Sequence, residues 1–600
     1  MFMWDKDDLN EEQEAAINEE NNVFLVACPG SGKTRTLTYK IAFELSKLSD
    51  NKKWVIAITY THRAADEIRD RIETLGVDIS QLWIGTIHAF CLEWILKPYG
   101  LYHDRLKNGF KIINSYDSEH LISDICSNIR HGRIWYGDCN HYYTSQGLIL
   151  NCVNNKTQLV NEAIEKYHDH LAENNQIDFE QILYFSYNIL SNNESVARIL
   201  GGLFSYILID EYQDTKEIQY SIVSLLIKCS MEQIKTFIVG DPNQAIYGSL
   251  GGYAISKFEL ERLTNASFTP MALEKNYRSS AKIISYYSNF NVYTSSTIAS
   301  GELKEYISSI TYDRTTRKDD LVEKISRHIE NSIQVLDISE KEICIIAPWW
   351  MHLAALTRSL VNRLPQYNFD GPGLVPFSRD IDNFWYKLTA IILTEPSPNV
   401  YAKRLRWASD VLLDMQLALV DVQSITPKFL LRTINSISID ENNGMDYLYL
   451  FFNVLFHKLN IDFELYPMLK EHHEAFFKSS QDRIDRLRKS SDYFATDIEA
   501  FRRVFKPRTG IKVSTIHGVK GGEYDVVIAF GLLQDLVPNF NDTSEDSAKK
   551  LLYVIGSRAR KNLHLISERE RMTGTGQYRR EYRPTDLLTN LIYQYDPLLF

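Results

Sequence analysis

A glycine-rich segment near the N-terminus has the composition of a phosphate-binding loop. It follows the apolar run Val23–Val26 and precedes a helical pattern that extends from Lys33 to about Ser46. Its residues, in order, are Ala27, Cys28, Pro29, Gly30, Ser31, Gly32, Lys33 and Thr34. Glycines let backbone N–H groups converge on phosphate oxygens, and the start of a helix adds partial positive charge. The pattern predicts that Lys33 contacts the β and γ phosphates of a nucleotide and that Thr34 binds Mg²⁺.

A structural turn without a phosphate-binding role is the alternative interpretation of this segment. The strict phosphate-loop pattern has glycine where Ala27 stands, and a glycine–serine turn before a helix is a simpler explanation of the same residues. The acidic pair described next favours the phosphate loop.

A second chemical element is an apolar strand that ends in two carboxylates. Tyr206–Ile209 is followed directly by Asp210 and Glu211. In this arrangement Asp210 would orient Mg²⁺, and Glu211 would act as general base on an attacking water. Such a strand end is often only structural, but together with a phosphate loop it predicts nucleotide hydrolysis. Its long separation from Lys33 requires an inserted unit between the two halves of the site.

The elements that position these groups are predicted by short apolar runs separated by helical patterns. Near-continuous apolar runs are typical of parallel strands that are buried on both faces. The runs are Val23–Ala27, Trp54–Thr59, Tyr206–Ile209, Thr236–Val239, Ile343–Ala347, Ile511–Ser514 and Asp525–Phe530. Prolines and glycines between Leu364 and Pro398 indicate loops, and Phe384–Phe505 has a largely helical pattern. We therefore predict an α/β protein with two blocks, the second interrupted by a helical insertion.

Composition excludes several classes of protein. The 600 residues include 44% hydrophobic and 24% charged side chains, which disfavours a disordered or fibrous chain. The net charge of −11 means that any nucleic-acid contact must be a local groove. Seven cysteines without a CxxC pair disfavour a disulfide framework and a thiolate metal site. Without a signal-peptide pattern or a long apolar run, we expect a cytoplasmic protein that makes no membrane contact.

The acidic strand continues as a longer motif that carries a family resemblance. The run Asp210-Glu211-Tyr212-Gln213-Asp214 resembles the superfamily 1 helicases of the UvrD/Rep type. The other matching segments, in the family's order, are Leu9-Asn10 with Gln13, Ala57–Ala65, Gly85–Phe90, Ile177–Phe179, Val239–Tyr247, Leu273–Ser279, Thr515–His517 with Lys520, Gly521 and Glu523, and Leu552–Val554 with Ser557–Ala559. Together they extend over nearly the whole chain.

The resemblance implies two RecA-like parallel-sheet lobes, each with a helical insertion. The first lobe is expected at 1–91 and 201–268, with its insertion at 92–200. The second lobe is expected at 269–375 and 506–600, with its insertion at 376–505. It also implies ATP and Mg²⁺ as ligands.

For ATP, the resemblance implies a role for each of several residues. Lys33 and Glu211 would act as above, Gln13 would recognise adenine, and Glu523 would hold the ribose. Arg35 and Tyr277 would sandwich the base, and Gln244 would contact the γ-phosphate. Arg278 and Arg558 would be arginine fingers that stabilise the transition state.

For DNA, the resemblance implies stacking platforms and backbone contacts. Tyr60 and Tyr247 would stack on bases, although a structural role for these aromatic residues is the alternative. The residues expected to contact the DNA backbone, or otherwise to bind DNA, are Thr59, His62, Arg63, His88 and His517.

The chain departs from the family pattern after Tyr247. Ser249 stands where an aromatic is usual, and Leu250 stands in place of an arginine that links nucleotide state to DNA grip. In the last motif, Ser547–Lys550 replaces paired glutamates and Ser557 replaces threonine. ATP chemistry is therefore expected to be intact, whereas coupling to strand separation is in question.

Two functions from different classes follow. The first is an ATP-dependent DNA helicase or translocase, with single-stranded and tailed duplex DNA as partners. The family resemblance alone implies that it moves 3′ to 5′ on single strands. The second is an ATPase that senses DNA ends or nucleotides and unwinds little. Short relatives without a nuclease domain include the helicase component of the Gabija anti-phage system, which works with a separate nuclease. A role in DNA repair is the alternative to defence.

Overall fold

The structure is a computed structural model that describes residues 2–129, 134–230, 233–372, 377, 383–489, 496–505, 510–539, 542, 544–574 and 579–600. Its contacts divide the chain into two compact units. The first comprises Met1–Ile113, Leu121–Lys318 and Ile516–Phe600, and the second comprises Asn114–His120 and Asp319–Thr515. The four expected domains, which are two lobes and an insertion in each, stay a prediction.

The strands, in chain order, are β1 Val23–Ala27, β2 Trp54–Thr59, β3 Leu82–Thr86, β4 Lys111–Ile112, β5 His141–Thr144, β6 Gly147–Leu150, β7 Gln176–Ile177, β8 Phe204–Ile209, β9 Lys235–Gly240, β10 Thr269–Leu273, β11 Lys275–Asn276, β12 Ile298–Ala299, β13 Ile310–Asp313, β14 Ile343–Ala347, β15 Phe369–Asp370, β16 Ile511–Thr515, β17 Tyr524–Ala529, β18 Ala559–Ile566, β19 Met572–Thr573 and β20 Arg580–Glu581.

The α-helices are α1 Glu11–Asn18, α2 Lys33–Lys47, α3 His62–Thr74, α4 Ile87–Phe90, α5 Lys97–Tyr99, α6 Ser115–Asn128, α7 Thr157–Glu173, α8 Phe179–Asn192, α9 Glu194–Leu203, α10 Glu217–Cys229, α11 Lys257–Thr264, α12 Ala281–Ser288, α13 Leu321–Glu330, α14 Trp350–Arg363, α15 Phe384–Leu393, α16 Tyr401–Leu417, α17 Pro427–Asn435, α18 Gly444–Lys458, α19 Pro467–Lys489, α20 Ile498–Arg503, α21 Glu545–Ser557 and α22 Asp586–Asn590.

The main sheet of the first unit is a six-stranded parallel sheet in the order β10-β1-β9-β8-β2-β3. Its central strands are the apolar runs of the sequence, and their side chains are buried on both faces because helices cover the sheet. In such a sheet the carboxyl ends of the strands share one edge, where ligands bind. The phosphate loop follows β1, Asp210 follows β8, and Asp241 follows β9 at that edge.

The remaining parallel strands belong to both units. In the first unit β18 lies between β13 and β17, and in the second unit β16 lies between β14 and β15. Helices α15 to α20 of the second unit surround a separate apolar core that includes Trp385 and Phe452. The expected α/β class, with two sets of long parallel strands and many helices, is confirmed.

The region 92–200 is not purely helical, although its sequence pattern predicts helices. It also contains an antiparallel hairpin, β5–β6, and the short parallel pair of β4 and β7. The hairpin strands are only four residues long and follow no clear apolar alternation, which explains why the sequence does not reveal them.

Two general expectations can be compared with the structure. None of the seven cysteines, all of which lie within the described ranges, forms a disulfide, and five of them are buried. Within the described ranges, no helix combines the length and the apolar composition that crossing a membrane requires.

Candidate nucleotide and DNA site

The phosphate loop has the backbone that its glycines predict. Gly30 and Gly32 have φ angles of +70° and +78°, which favour glycine, and α2 begins at Lys33. A Cβ on Gly30 would lie 2.5 Å from Cβ of Arg278, and one on Gly32 would lie 2.5 Å from Nε2 of Gln13. Both glycines are therefore needed for conformation and for space, and together they form a backbone cradle of phosphate-binding type.

The other residues of the loop are held in place by main-chain bonds. Ala27 is buried in β1, and the Cys28 N–H donates to the Leu273 carbonyl at 3.0 Å. Burial raises the pKa of the Cys28 thiol to about 12, so the thiol stays protonated. The Pro29 carbonyl accepts from Nδ2 of Asn276 at 2.6 Å, and the Ser31 carbonyl accepts from Gln13.

Lys33 and Glu211 form an ion pair at the edge of the sheet. Burial alone would lower the pKa of Lys33, but Glu211, Asp210 and Asp241 together raise it. Burial would likewise raise the pKa of Glu211, but Lys33 and Lys520 lower it to about 2. Glu211 has a φ of +52°, an uncommon value for a non-glycine residue that turns its carboxylate back toward the loop.

Asp210 and Thr34 are the residues that would hold Mg²⁺. Asp210 is buried at the end of β8, and its Oδ1 accepts from the Glu211 N–H at 2.9 Å. Burial raises the pKa of Asp210 to about 6, against the opposing effect of Lys33. A buried carboxylate of this kind fits a hard cation with oxygen ligands.

Arg558 is buried and contacts the residue expected to touch the γ-phosphate. Its Nη2 donates to Oε1 of Gln244 at 2.7 Å, and Nε2 of Gln244 donates to Oδ2 of Asp241 at 2.7 Å. Burial, and then the charge of Arg278, lowers the pKa of Arg558 to about 10, so it stays charged near neutral pH. A series of hydrogen bonds therefore connects Arg558, the predicted arginine finger, with Asp241 at the edge of the sheet.

Arg278 also lies at the phosphate loop. Its Nε donates to Oε2 of Glu523 at 2.6 Å, and its Nη1 donates to the Ser557 carbonyl at 2.9 Å. The carboxylate of Glu523, expected at the ribose, is therefore bound to an arginine here. The Tyr277 N–H donates to the Gly30 carbonyl at 2.9 Å, which attaches this segment to the loop.

The residues expected around the adenine base have different neighbours. Gln13 is buried and uses both ends of its amide, accepting from the Asn10 N–H at 3.0 Å and donating to Ser31. The Arg35 guanidinium lies 3.6 Å from Asp8, whereas the Tyr277 hydroxyl accepts from Asn10. Tyr277 is 44% exposed, so one face of its ring is available.

The aromatic residues expected to bind DNA form one cluster. The rings of Tyr60 and Tyr247 are 4.9 Å apart, and those of Tyr247 and His517 are 5.3 Å apart. His517 is fixed by a contact of 3.1 Å between its Nε2 and the Ile246 carbonyl. Tyr60 is 40% exposed, which leaves a surface on which a base can stack.

The other DNA candidates differ in exposure. Thr59 is buried and its hydroxyl donates to the Thr61 carbonyl, whereas His62 and Arg63 are exposed at the start of α3. His88 packs its ring 6.0 Å from Phe179, and burial lowers its pKa to about 4. Only His62 and Arg63 of these four present a clearly exposed side chain.

Two known families match the sequence in the regions that build this site. The UvrD/REP helicase N-terminal domain matches residues 9–259, and the UvrD-like helicase C-terminal domain matches residues 464–570. Together the matches cover more than half of the chain and include both the phosphate loop and Arg558. The chain belongs to the UvrD/Rep-type superfamily 1A helicases.

Curated relatives agree with this family. A probable DNA helicase II homolog of Mycoplasma capricolum is 27% identical over 354 residues, which is 55% of this chain and 46% of the relative. The ATP-dependent DNA helicase PcrA of Staphylococcus aureus strain Mu50 is 30% identical over 288 residues, 46% of this chain and 38% of the relative. PcrA of Staphylococcus epidermidis is 29% identical over 289 residues, with the same coverage. The chain therefore spans less than half the length of these relatives.

Lys520 is a further residue of this site, and no role was predicted for it from the sequence. Its ammonium group pairs with Asp214, donates to the Gln244 carbonyl at 2.8 Å and lies 3.8 Å from Glu211. It also lies 5.5 Å from the centre of the Tyr247 ring. The sequence signal that could have indicated a role for Lys520 is its position in the family-like segment that begins at Thr515.

The two departures from the family pattern lie in one short loop. Leu250 is 51% exposed, and the Ser249 carbonyl accepts a hydrogen bond from the Asn151 side chain. Tyr253, which follows the loop, donates to Glu259 at 3.0 Å and packs against Tyr220. The region 92–200 therefore contacts this loop through Asn151.

Proposed function

We propose that this protein is an ATP-dependent DNA helicase or translocase that moves 3′ to 5′ on single-stranded DNA. The observation that carries the proposal is the position of Arg558, which donates to Gln244 within the group of charges formed by Lys33 and Glu211. Gln244 belongs to the predicted first lobe and Arg558 to the predicted second, so ATP would be contacted from both.

The chemistry follows from the charges of the site. ATP would attract the Lys33 ammonium to its β and γ phosphates and thereby separate it from Glu211. The carboxylate then loses its nearest cation, its pKa rises from about 2, and it becomes a better base. Water attacks the γ-phosphorus, its proton passes to Glu211, and the bond to the bridging oxygen breaks to give ADP and phosphate.

The remaining residues stabilise charge during this step. Arg278 and Arg558 would balance the negative charge on the transferring phosphoryl group, and Gln244 would orient it. Asp210 and Thr34 would hold Mg²⁺, which neutralises phosphate charge when it is bound.

The contacts of Lys520 support a connection between the ATP site and the DNA-binding surface. It joins the carboxylates Asp214 and Glu211 to the ring of Tyr247, which packs against Tyr60. Stacking on aromatic rings contributes about 1–3 kcal/mol per base and tolerates any sequence, as a motor on DNA requires. A shift of Lys520 when ATP binds would therefore change the position of Tyr247, and with it the surface on which bases stack.

The test is strand displacement on two duplexes that differ only in the polarity of their single-stranded tail. We expect ATP-dependent displacement from the 3′-tailed duplex, and none with Glu211→Gln. Displacement from the 5′-tailed duplex alone would contradict the proposed direction.

A second candidate is an ATPase that senses DNA ends or nucleotides, because Ser249 and Leu250 lack the family's coupling groups. DNA-stimulated hydrolysis without displacement from either tail would favour it. For that candidate we propose a separate nuclease subunit as partner, as in anti-phage systems, and co-purification from the native host tests this.

A further inference from the structure

Three side chains of types that commonly bind metal ions lie close together outside the nucleotide site. His141 opens strand β5, His168 lies on α7, and Asp178 caps the N-terminus of α8. One ligand atom from each lies within 4.8 Å of the other two. All three residues belong to the first unit of the structure.

Within the described residues, one ring nitrogen of each histidine in this cluster lacks a hydrogen-bond partner. Nδ1 of His141 lies 3.0 Å from the Cys139 carbonyl, an acceptor, so this nitrogen carries the proton. Nε2 of His141 then presents a lone pair toward Oδ2 of Asp178, at 3.9 Å. Nε2 of His141 and Nε2 of His168 are buried, and neither has a hydrogen-bond partner in the described part of the chain.

The burial of these groups makes this arrangement costly without a cation. Only 8% of the His141 side chain and 11% of the Asp178 side chain are exposed. A buried nitrogen acceptor without a donor destabilises the folded state. A cation between the three ligand atoms would satisfy both histidine nitrogens and balance the charge of Asp178.

We propose that His141, His168 and Asp178 bind a divalent transition-metal ion, and that this ion is Zn²⁺. Two imidazoles and a carboxylate are common zinc ligands, at about 2.0–2.2 Å from the metal. Tetrahedral geometry then requires the ligand atoms to lie about 3.4 Å apart. Side-chain rotations that move these atoms by roughly an ångström would complete the site. A water molecule would supply the fourth ligand.

The groups around the three ligands have the arrangement expected behind a metal site. Metal-bound histidines usually donate their second ring N–H to a carbonyl or carboxylate, as His141 does to Cys139. Oδ1 of Asp178 accepts from the Gln181 N–H at 2.8 Å, and the Tyr167 side chain also hydrogen-bonds to this carboxylate, so the group that would bind the metal is held in place 3.9 Å from Nε2 of His141.

The proposed ion would attach the β5–β6 hairpin to two helices, and this hairpin supports the loop that departs from the family. Tyr142 packs against Gly251, where an added Cβ would lie 2.8 Å from its ring. Asn151 donates to the Ser249 carbonyl, and the Ser145 hydroxyl donates to Glu217 at 2.6 Å. We infer that Zn²⁺ fixes the hairpin and, through it, the loop at Ser249.

Metal content of the purified full-length chain tests the site directly. The protein is incubated with excess Zn²⁺, passed through a desalting column, and analysed by mass spectrometry for zinc per chain. We expect an equimolar amount in the wild type and in His170→Gln, an exposed histidine on the same helix, and little in His168→Gln. Equal zinc in His168→Gln and wild type, or none in the wild type, would overturn the proposal.

Two further measurements keep the test independent of folding. Asp178→Asn retains a side chain that can cap α8, so it should fold and yet bind zinc more weakly. Co²⁺ in place of zinc should give visible absorption bands typical of tetrahedral cobalt in the wild type and lose them in Asp178→Asn. Bands that persist in Asp178→Asn would contradict the ligand assignment.

The effect on activity is a separate readout that rests on the proposed function. Zinc is removed with a chelator, which is then replaced by buffer that contains Mg²⁺. This treatment should lower DNA-stimulated ATPase activity of the wild type but not that of His168→Gln, which lacks the zinc already. A wild type that binds zinc but is equally active with and without it would refute the support of the Ser249 loop. Metal content would remain a test even if the protein had no helicase activity.

Discussion

The buried guanidinium of Arg558 donates a hydrogen bond of 2.7 Å from its Nη2 to Oε1 of Gln244. The two residues are far apart in sequence, and the bond places a charge from the C-terminal part of the chain beside the phosphate loop. Catalysis and domain arrangement are therefore expected to depend on the same contact.

Replacing Arg558 by alanine should slow hydrolysis far more than it weakens ATP binding. An arginine finger acts on charge that develops in the transition state, and its loss costs about 10³-fold or more in rate. We expect the ATP dissociation constant to change by less than about tenfold, equivalent to about 1.4 kcal/mol. Single-turnover hydrolysis and nucleotide titration measure the two effects. Arg583→Ala, at an exposed arginine, is the control, and equal losses in rate and affinity would argue against a finger.

Glu211→Gln should bind ATP but not hydrolyse it. The amide retains the size of the carboxylate but cannot accept the water proton, so turnover should fall to background. Loss of the negative charge also frees Lys33, which should strengthen ATP binding. Steady-state ATPase assays and equilibrium binding check both effects. Turnover near the wild-type rate would remove Glu211 from the role of general base.

Lys520→Gln should separate DNA binding from ATP hydrolysis. The variant loses the contacts with Asp214 and Tyr247 that connect the two regions, while Lys33 and Arg558 stay in place. We expect basal ATPase to persist and its stimulation by single-stranded DNA to fall about 5- to 150-fold, the usual size of such coupling. ATPase rates with and without DNA measure this, and thermal unfolding checks that the variant is folded. Unchanged stimulation would exclude Lys520 as the connection.

Stability should fall as the pH is lowered through the range set by His88. Burial lowers the pKa of His88 from 6.5 to about 4, so between these values the unfolded chain binds a proton that the folded chain does not. Its contribution to stability is therefore present above about pH 6.5 and lost as the pH falls toward 4, by at most about 3 kcal/mol. Urea unfolding across this range should show a shallower pH dependence for His88→Gln. An identical pH dependence would show that His88 is not buried as a neutral imidazole.

The sequence alone determined the parallel strands and the phosphate loop. Runs such as Val23–Ala27 and Ile343–Ala347 were predicted at the bounds that the structure has, because a strand buried on both faces leaves a continuous apolar signal. The loop was predictable because Gly30 and Gly32 adopt positive φ angles that few other residues tolerate. These signals are local, so neighbouring residues suffice to identify them.

Only the tertiary structure decided which distant residues meet. Nothing near Lys520 in sequence indicates that it pairs with Asp214, and nothing near His141 indicates His168 or Asp178 as neighbours. The bond from Gln13 to the Ser31 carbonyl was likewise beyond sequence reasoning. Such contacts depend on how sheets and helices pack, since burial and charge pairing act between residues that only the folded chain brings together.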